Sequence, residues 1–232
     1  MSVHRITYKD GAKMMSPVLS REEYLKLRGS AKQRRTVKAV REGDEKLKMR
    51  LVQMNYSCLP NDDGTLKGST RISTTVGMDI DHIKAEEMDE VKNRILGKKE
   101  ELGLLMMELS ARASGYHLVF RRREEMSQEE NLRWASELLG VEFDQGAKDA
   151  TRVFFTTAEA QLFYLDDSIF SSEEILGTDY TDLHGLSKSS DDKPCQKEKI
   201  RVNPCHPCLK TNRRLVHCCD HRHRYFHRCR HW

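Results

Sequence analysis

A chain of 232 residues is long enough for one domain of ordinary size with an appendage, or for two small ones, and too short for a large multidomain machine. At 38% hydrophobic and 33% charged residues it is polar for a globular protein, and no apolar run approaches the roughly 18 residues of a spanning helix, which excludes an integral helical membrane protein. The opening MSVHRITYKDGAK scatters its charges and has no apolar stretch of the secretory type, so a cytoplasmic location is expected.

The net charge of +4 conceals a division along the chain. Residues 195–232 hold ten Lys and Arg against two Asp and Glu, whereas residues 1–194 hold 30 against 34. The same last 38 residues carry six of the seven Cys and six of the ten His. Cys58 is left alone in the body, so no disulfide framework is indicated there.

In chain order, SREEYLKLRG reads as a helix capped by Ser20, with Glu22 and Glu23 in its first turn and Gly29 at its end. SAKQRRTVKAVREGDEKLKMR continues as a basic segment, either a solvated helix face or a track for a phosphate backbone. Residues 51–75, with turn formers from Pro60 to Gly64, suggest strand, turn and strand. In TTVGMDIDHI, Val76, Met78 and Ile80 alternate with Asp79 and Asp81, which puts both carboxylates on one face of a strand, with Cα atoms roughly 6.5–7 Å apart.

A helix follows, with Met88, Val91, Ile95 and Leu96 at helical spacing and a stop near Gly97 or Gly103. LLMMELSARASGYHLVFRRR reads as two strands joined at Ala113, Ser114 and Gly115. MSQEENLRWASELLG is an amphipathic helix capped by Ser127 with Glu130 three residues on, and Gly140 stops it. VEFDQGAKDATRVFFTT returns to strand. Strands and helices mix without a clean parallel alternation, so the expected class is α+β, with a mixed or antiparallel sheet and flanking helices.

Three places carry chemistry. Asp79 and Asp81 offer hard oxygen ligands for one or two Mg²⁺ or Mn²⁺ ions, or else cap the helix that begins near Lys84. Ser114-Gly115-Tyr116-His117 is a turn delivering an imidazole to the start of a strand, suited to a triphosphate or to proton transfer, or simply a polar surface residue at a strand edge. In the third, Asp144 and Asp149 compete to be a further carboxylate, with Arg152 as a cation for phosphate; alternatively both acids are turn residues around Gly146 and Arg152 pairs with one of them.

The order of these segments over about residues 50–170 resembles the catalytic core of the archaeo-eukaryotic primase (primase-polymerase) superfamily. TTVGMDIDHI, SARASGYHLVF and VEFDQGAKDATRVFF are most similar to the VirE-type N-terminal domain of Bacteroides-like mobile elements. The resemblance implies a nucleotidyltransferase in replication of a mobile element, moving nucleotides from NTP or dNTP onto a 3′-hydroxyl by two-metal chemistry. In that reading Asp79, Asp81 and Asp144 bind the metals, with Asp149 the rival to Asp144. His117 contacts the triphosphate, Ser114 and Gly115 shape the turn, and Arg152 touches phosphate. The partners implied are single-stranded DNA, nucleoside triphosphates and a helicase. The alternatives are an inactive primase-fold module that binds DNA for a separate helicase, and a two-metal nuclease.

Residues 1–170 form the expected domain, 171–194 a polar linker and 195–232 a basic tail. In the tail Cys205, Cys208, Cys218 and Cys219 are of the type that holds Zn²⁺, although the spacing after Cys208 fits no standard finger. Its arginines and aromatics also suit nucleic acid, and its lack of apolar periodicity suits a terminus that does not fold.

Overall fold

In the computed structural model, residues 2–171 are described, and they form an α+β fold of two four-stranded antiparallel sheets and five helices. The chain opens on a hairpin, β1 (His4–Lys9) and β2 (Ala12–Pro17), which sequence analysis leaves unassigned. Its turn is Asp10-Gly11, with φ of 50° and 80°, the two-residue connection whose twist matches that of paired strands.

Helix α1 (Arg21–Arg28) starts and stops where Ser20 and Gly29 indicate, with Ser20 Oγ accepting from Glu23 N. Ser30 repeats the cap for α2 (Ala31–Arg41) by accepting from Gln33 N. Residues 51–75 contribute β3 (Gln53–Asn55) and, in place of a second strand, single bridges such as Cys58 to Ile72. Here the Asn61 side chain donates to Thr65 Oγ1 and Lys67 O, so a side chain satisfies backbone that a ladder would otherwise pair.

Strand β4 (Thr75–Ile80), α3 (Met88–Gly97), α4 (Lys99–Leu102), β5 (Leu104–Leu109), β6 (Tyr116–Arg121) and α5 (Gln128–Leu139) follow, in the expected order except that the one helix expected between β4 and β5 is divided at Lys98. Ser127 and Glu130 form a reciprocal capping box on α5, and Gly140 ends it in the left-handed conformation. The strand expected after Asp144 shrinks to β7 (Phe154–Phe155), because Asp144 and Asp149 each use a carboxylate oxygen to turn the backbone two residues on. β8 (Leu162–Leu165) completes the second sheet.

The sheets run β2-β1-β3-β7 and β4-β6-β5-β8. One face of the second sheet packs Val76, Met78, Ile80, Leu118 and Phe120 against Val91 and Ile95 of α3 and Leu132 and Leu139 of α5. The opposite face sends Met106 and Val119 into a second core with Tyr24 of α1, Met54 of β3, Tyr56 and Phe154 of β7. Among the described residues no helix is long and apolar enough to cross a membrane. Gly77 of β4 leaves room for Phe154 of the other sheet, since a Cβ there would lie 2.6 Å from Phe154 Cε2. Gly77→Ala is expected to lower stability by about 1–3 kcal/mol in urea unfolding, and Gly77→Ala with Phe154→Leu to recover part of that loss.

Candidate metal centre

Strands β4, β6 and β5 lie side by side, and their registers set Asp79 opposite His117 and His117 opposite Glu108. The three side chains form a row across the face that looks onto Phe154, whose ring meets His117 edge-on with centroids 5.4 Å apart. All are buried, Asp79 and His117 at 6% exposure and Glu108 at 0%. His117 is therefore not the surface residue that a strand-edge position allows.

Glu108 was not among the sequence candidates, although an acid inside the apolar run LLMMEL is a signal that could have found it. Its carboxylate accepts from Thr157 N at 3.0 Å, from Thr157 Oγ1 at 2.8 Å, from the Arg28 guanidinium, and from His117 Nδ1 at 3.0 Å. Arg28 is equally buried and also donates to the Tyr24 hydroxyl at 2.9 Å. An ionised carboxylate only accepts, so the hydrogen sits on Nδ1 and Nε2 faces Asp79 Oδ1 at 3.6 Å.

Burial alone would raise the Glu108 carboxyl, but the Arg28 charge and the His117 hydrogen bond override it and hold the group down at about 2. Burial alone would lower the His117 imidazole, and the Glu108 hydrogen bond with the Asp79 charge raises it instead. A carboxyl depressed in the fold contributes stability that is complete above its ordinary 4.5 and is lost as pH falls toward 2. Glu108→Gln is expected to cost about 3–5 kcal/mol at neutral pH, by stranding Arg28, and to flatten the acid limb between those values when urea unfolding is measured against pH.

The carboxylates come from three places: Asp79 within β4, Asp81 just past its end, and Asp144 at the head of a short 3-10 turn. One oxygen from each lies within 4.8 Å of the others. Asp144 N donates to Asp79 O at 2.8 Å, which fixes the third acid against the first strand. Burial raises the Asp81 carboxyl, and the Asp79 charge raises it further. Asp79 Oδ1 is buried with no hydrogen-bond partner among the described residues. A buried carboxylate oxygen without a donor is costly, and three hard oxygens converging beside it suit Mg²⁺ or Mn²⁺.

The turn that joins β5 to β6 shapes this cluster through backbone. Ser114 O accepts from Ile83 N at 3.0 Å, clamping the exit of β4 just after His82, which adopts a φ of 61°. A Cβ on Gly115 would lie 1.8 Å from Ile80 O and 2.9 Å from Asp81 Cα, so only glycine admits the approach. Ser114 and Gly115 thus place Asp81.

Arg152 Nη2 donates to Asp144 Oδ2 at 2.8 Å and to Asp79 Oδ2 at 3.2 Å, so the guanidinium bridges two of the three acids. Asp149 Oδ1 instead accepts from Thr151 N and Thr151 Oγ1, both at 2.8 Å, and stands outside the cluster. The structure brings Asp79, Asp81, Asp144, His117 and Arg152 together, and leaves Asp149 in its turn. Cys205, Cys208, Cys218 and Cys219 lie outside the described residues.

A cavity of about 560 Å³ opens beside Asp81 and Asp144, with Val91, Val141 and Phe143 as apolar walls and Arg94, Glu87 and Glu142 as charged ones. Its acids would repel an anionic ligand unless a cation intervened. No protein-family model, curated protein or solved structure matches the chain. What the centre can do follows from its own chemistry. Gly115→Ala is expected to weaken Mn²⁺ binding by about 10–100-fold in calorimetric titration, because Asp81 must shift, whereas Asp149→Asn leaves it unchanged.

Proposed function

We propose that the chain is a nucleotidyltransferase of the primase-polymerase type, acting on nucleoside triphosphates and a single-stranded DNA template, with Mg²⁺ or Mn²⁺ held by Asp79, Asp81 and Asp144. The observation that carries this reading is the convergence of one carboxylate oxygen from each of Asp79, Asp81 and Asp144 within 4.8 Å of one another, at a residue, Asp79, whose Oδ1 is buried with no hydrogen-bond partner among the described residues. When bound, divalent cations supply charge neutralisation for phosphoryl oxygens and acidify an attacking hydroxyl.

The chain's residues do the positioning. Asp79 is fixed by the β4–β6 ladder and Asp144 by its backbone bond to Asp79 O. Glu108 holds His117 in one orientation, with Nε2 toward the carboxylates. Arg152 keeps at the same spot a planar, forked cation of the kind that binds phosphate oxygens. The cavity beside Asp81 lies within the usual size of small-molecule sites and would take the base and sugar. The setting is the cytoplasm, in replication of a mobile element, where a separate helicase supplies the unwound strand.

One observation favours a second reading, that of a noncatalytic DNA-binding module: Arg152 already bridges Asp79 and Asp144 from within the chain and takes up part of the charge a metal would meet. A single gel separates the two. With labelled nucleotides, a primed single strand and Mn²⁺ or Mg²⁺, the first reading expects extension that Asp79→Asn with Asp81→Asn reduces at least about a thousandfold, as removal of metal-held charge stabilisation does. Folded protein that binds the strand and leaves its length unchanged would establish the second reading, and shortening of the strand would establish a nuclease.

A further inference from the structure

A second concavity, of about 450 Å³, lies between β1, the junction of α1 with α2 and the 3-10 turn Glu45–Arg50, and shares no lining residue with the cavity at Asp81. Arg5, Lys26, Lys32 and Arg50 line it, and among the described residues no carboxylate does. All four are exposed, and none has an ion-pair or side-chain hydrogen-bond partner among the described residues. These cations belong to a segregated charge distribution. Residues 1–50 hold fourteen Lys and Arg against six Asp and Glu, whereas residues 51–194 hold sixteen against 28. The segment that builds the groove is thus the basic part of an otherwise acidic body.

Four like charges around one groove repel each other, and a polyanion removes that repulsion while releasing its own counterions. Tyr8 adds an aromatic face. Its side chain is 52% exposed, and its hydroxyl donates to Gln53 Oε1 at 3.0 Å, which holds the ring at the groove rather than free in solvent. Met49, 59% exposed, lies on the same lining. Cations that follow a backbone together with an aromatic on which a base stacks are the combination that binds single strands. A duplex presents no open base face, and a planar lipid surface does not enter a groove.

We propose that this groove binds single-stranded nucleic acid, with phosphates against Arg5, Lys26, Lys32 and Arg50 and a base against Tyr8. Lys26 lines the groove, and Arg28, two residues on in the same helix, is the buried partner of Glu108, so a single helix connects the groove to the row that holds His117 and Asp79. That the bound strand is the template rests on the function proposed above; the binding does not.

The test is fluorescence anisotropy of the full chain with a labelled thymidine oligonucleotide, in EDTA and without nucleotide, across a salt series. Lys26→Glu with Arg50→Glu is expected to weaken binding at least about tenfold and to reduce the salt slope by about 1.4, the value for two lost phosphate contacts on a single strand. A charge-matched control at two exposed cations outside the groove, Lys67→Glu with Arg133→Glu, is expected to stay within about twofold of the parent, which removes any general effect of net charge or of residues 195–232. Tyr8→Ala is expected to weaken binding about fivefold with the salt slope unchanged, the mark of lost stacking. The proposal is overturned if the groove variant binds as tightly as the control variant, or if it loses binding to phosphatidylserine vesicles while keeping the oligonucleotide. Groove-dependent binding by a protein that extends no primer would uphold this inference and overturn the catalytic reading alone.

Discussion

A carboxylate with no access to water has to be surrounded by donors, and meeting that requirement at Glu108 organises much of the molecule. Four donors converge on it from three parts of the chain: Arg28 on α1, His117 on β6, and the backbone and hydroxyl of Thr157. Desolvating Arg28 and Glu108 is expensive, and the pair is tolerated because both ends are hydrogen-bonded. The arrangement stitches α1 to the second sheet, and it leaves His117 one orientation, with Nε2 toward Asp79. Packing and chemistry share the same atoms.

From this anchor the acidic cluster follows by register. Pairing β4 with β6 places Asp79 beside His117, and a slip of one residue would turn Asp79 into the apolar core formed with α3 and α5. Asp81 lies beyond the ladder and depends on the close approach that Gly115 permits. Asp144 reaches the same point from a distant turn through its bond to Asp79 O. Arg152 completes the cluster as an internal cation that bridges Asp79 and Asp144 and offsets part of its negative charge.

Elements specified by local signals were legible in the sequence, and those that depend on distant pairing were not. Ser20, Ser127 with Glu130, and Gly140 act within one turn of their own helices, and α1 and α5 form where those residues indicate. The β1–β2 hairpin carried its signal in Asp10-Gly11, but with Lys9 and Lys13 beside it the flanking sequence lacks the clean alternation that marks a strand. The Asp-x-Asp pattern pointed to Asp79 and Asp81, yet residue types alone left Asp144 and Asp149 equivalent. Only folding shows that Asp149 spends its carboxylate on Thr151 while Asp144 reaches Asp79. The Arg28–Glu108 pair spans 80 positions, and neither element betrays the other.

The centre and the basic groove segregate charge on the same body, one gathering acids and the other cations. Any metal chemistry of this chain depends on the first of these. Diffraction from crystals soaked in Mn²⁺, recorded at the manganese absorption edge, tests it most directly. Anomalous density among Asp79, Asp81 and Asp144 is the expected result; soaked crystals with no such density and Arg152 still bridging Asp79 and Asp144 would contradict it.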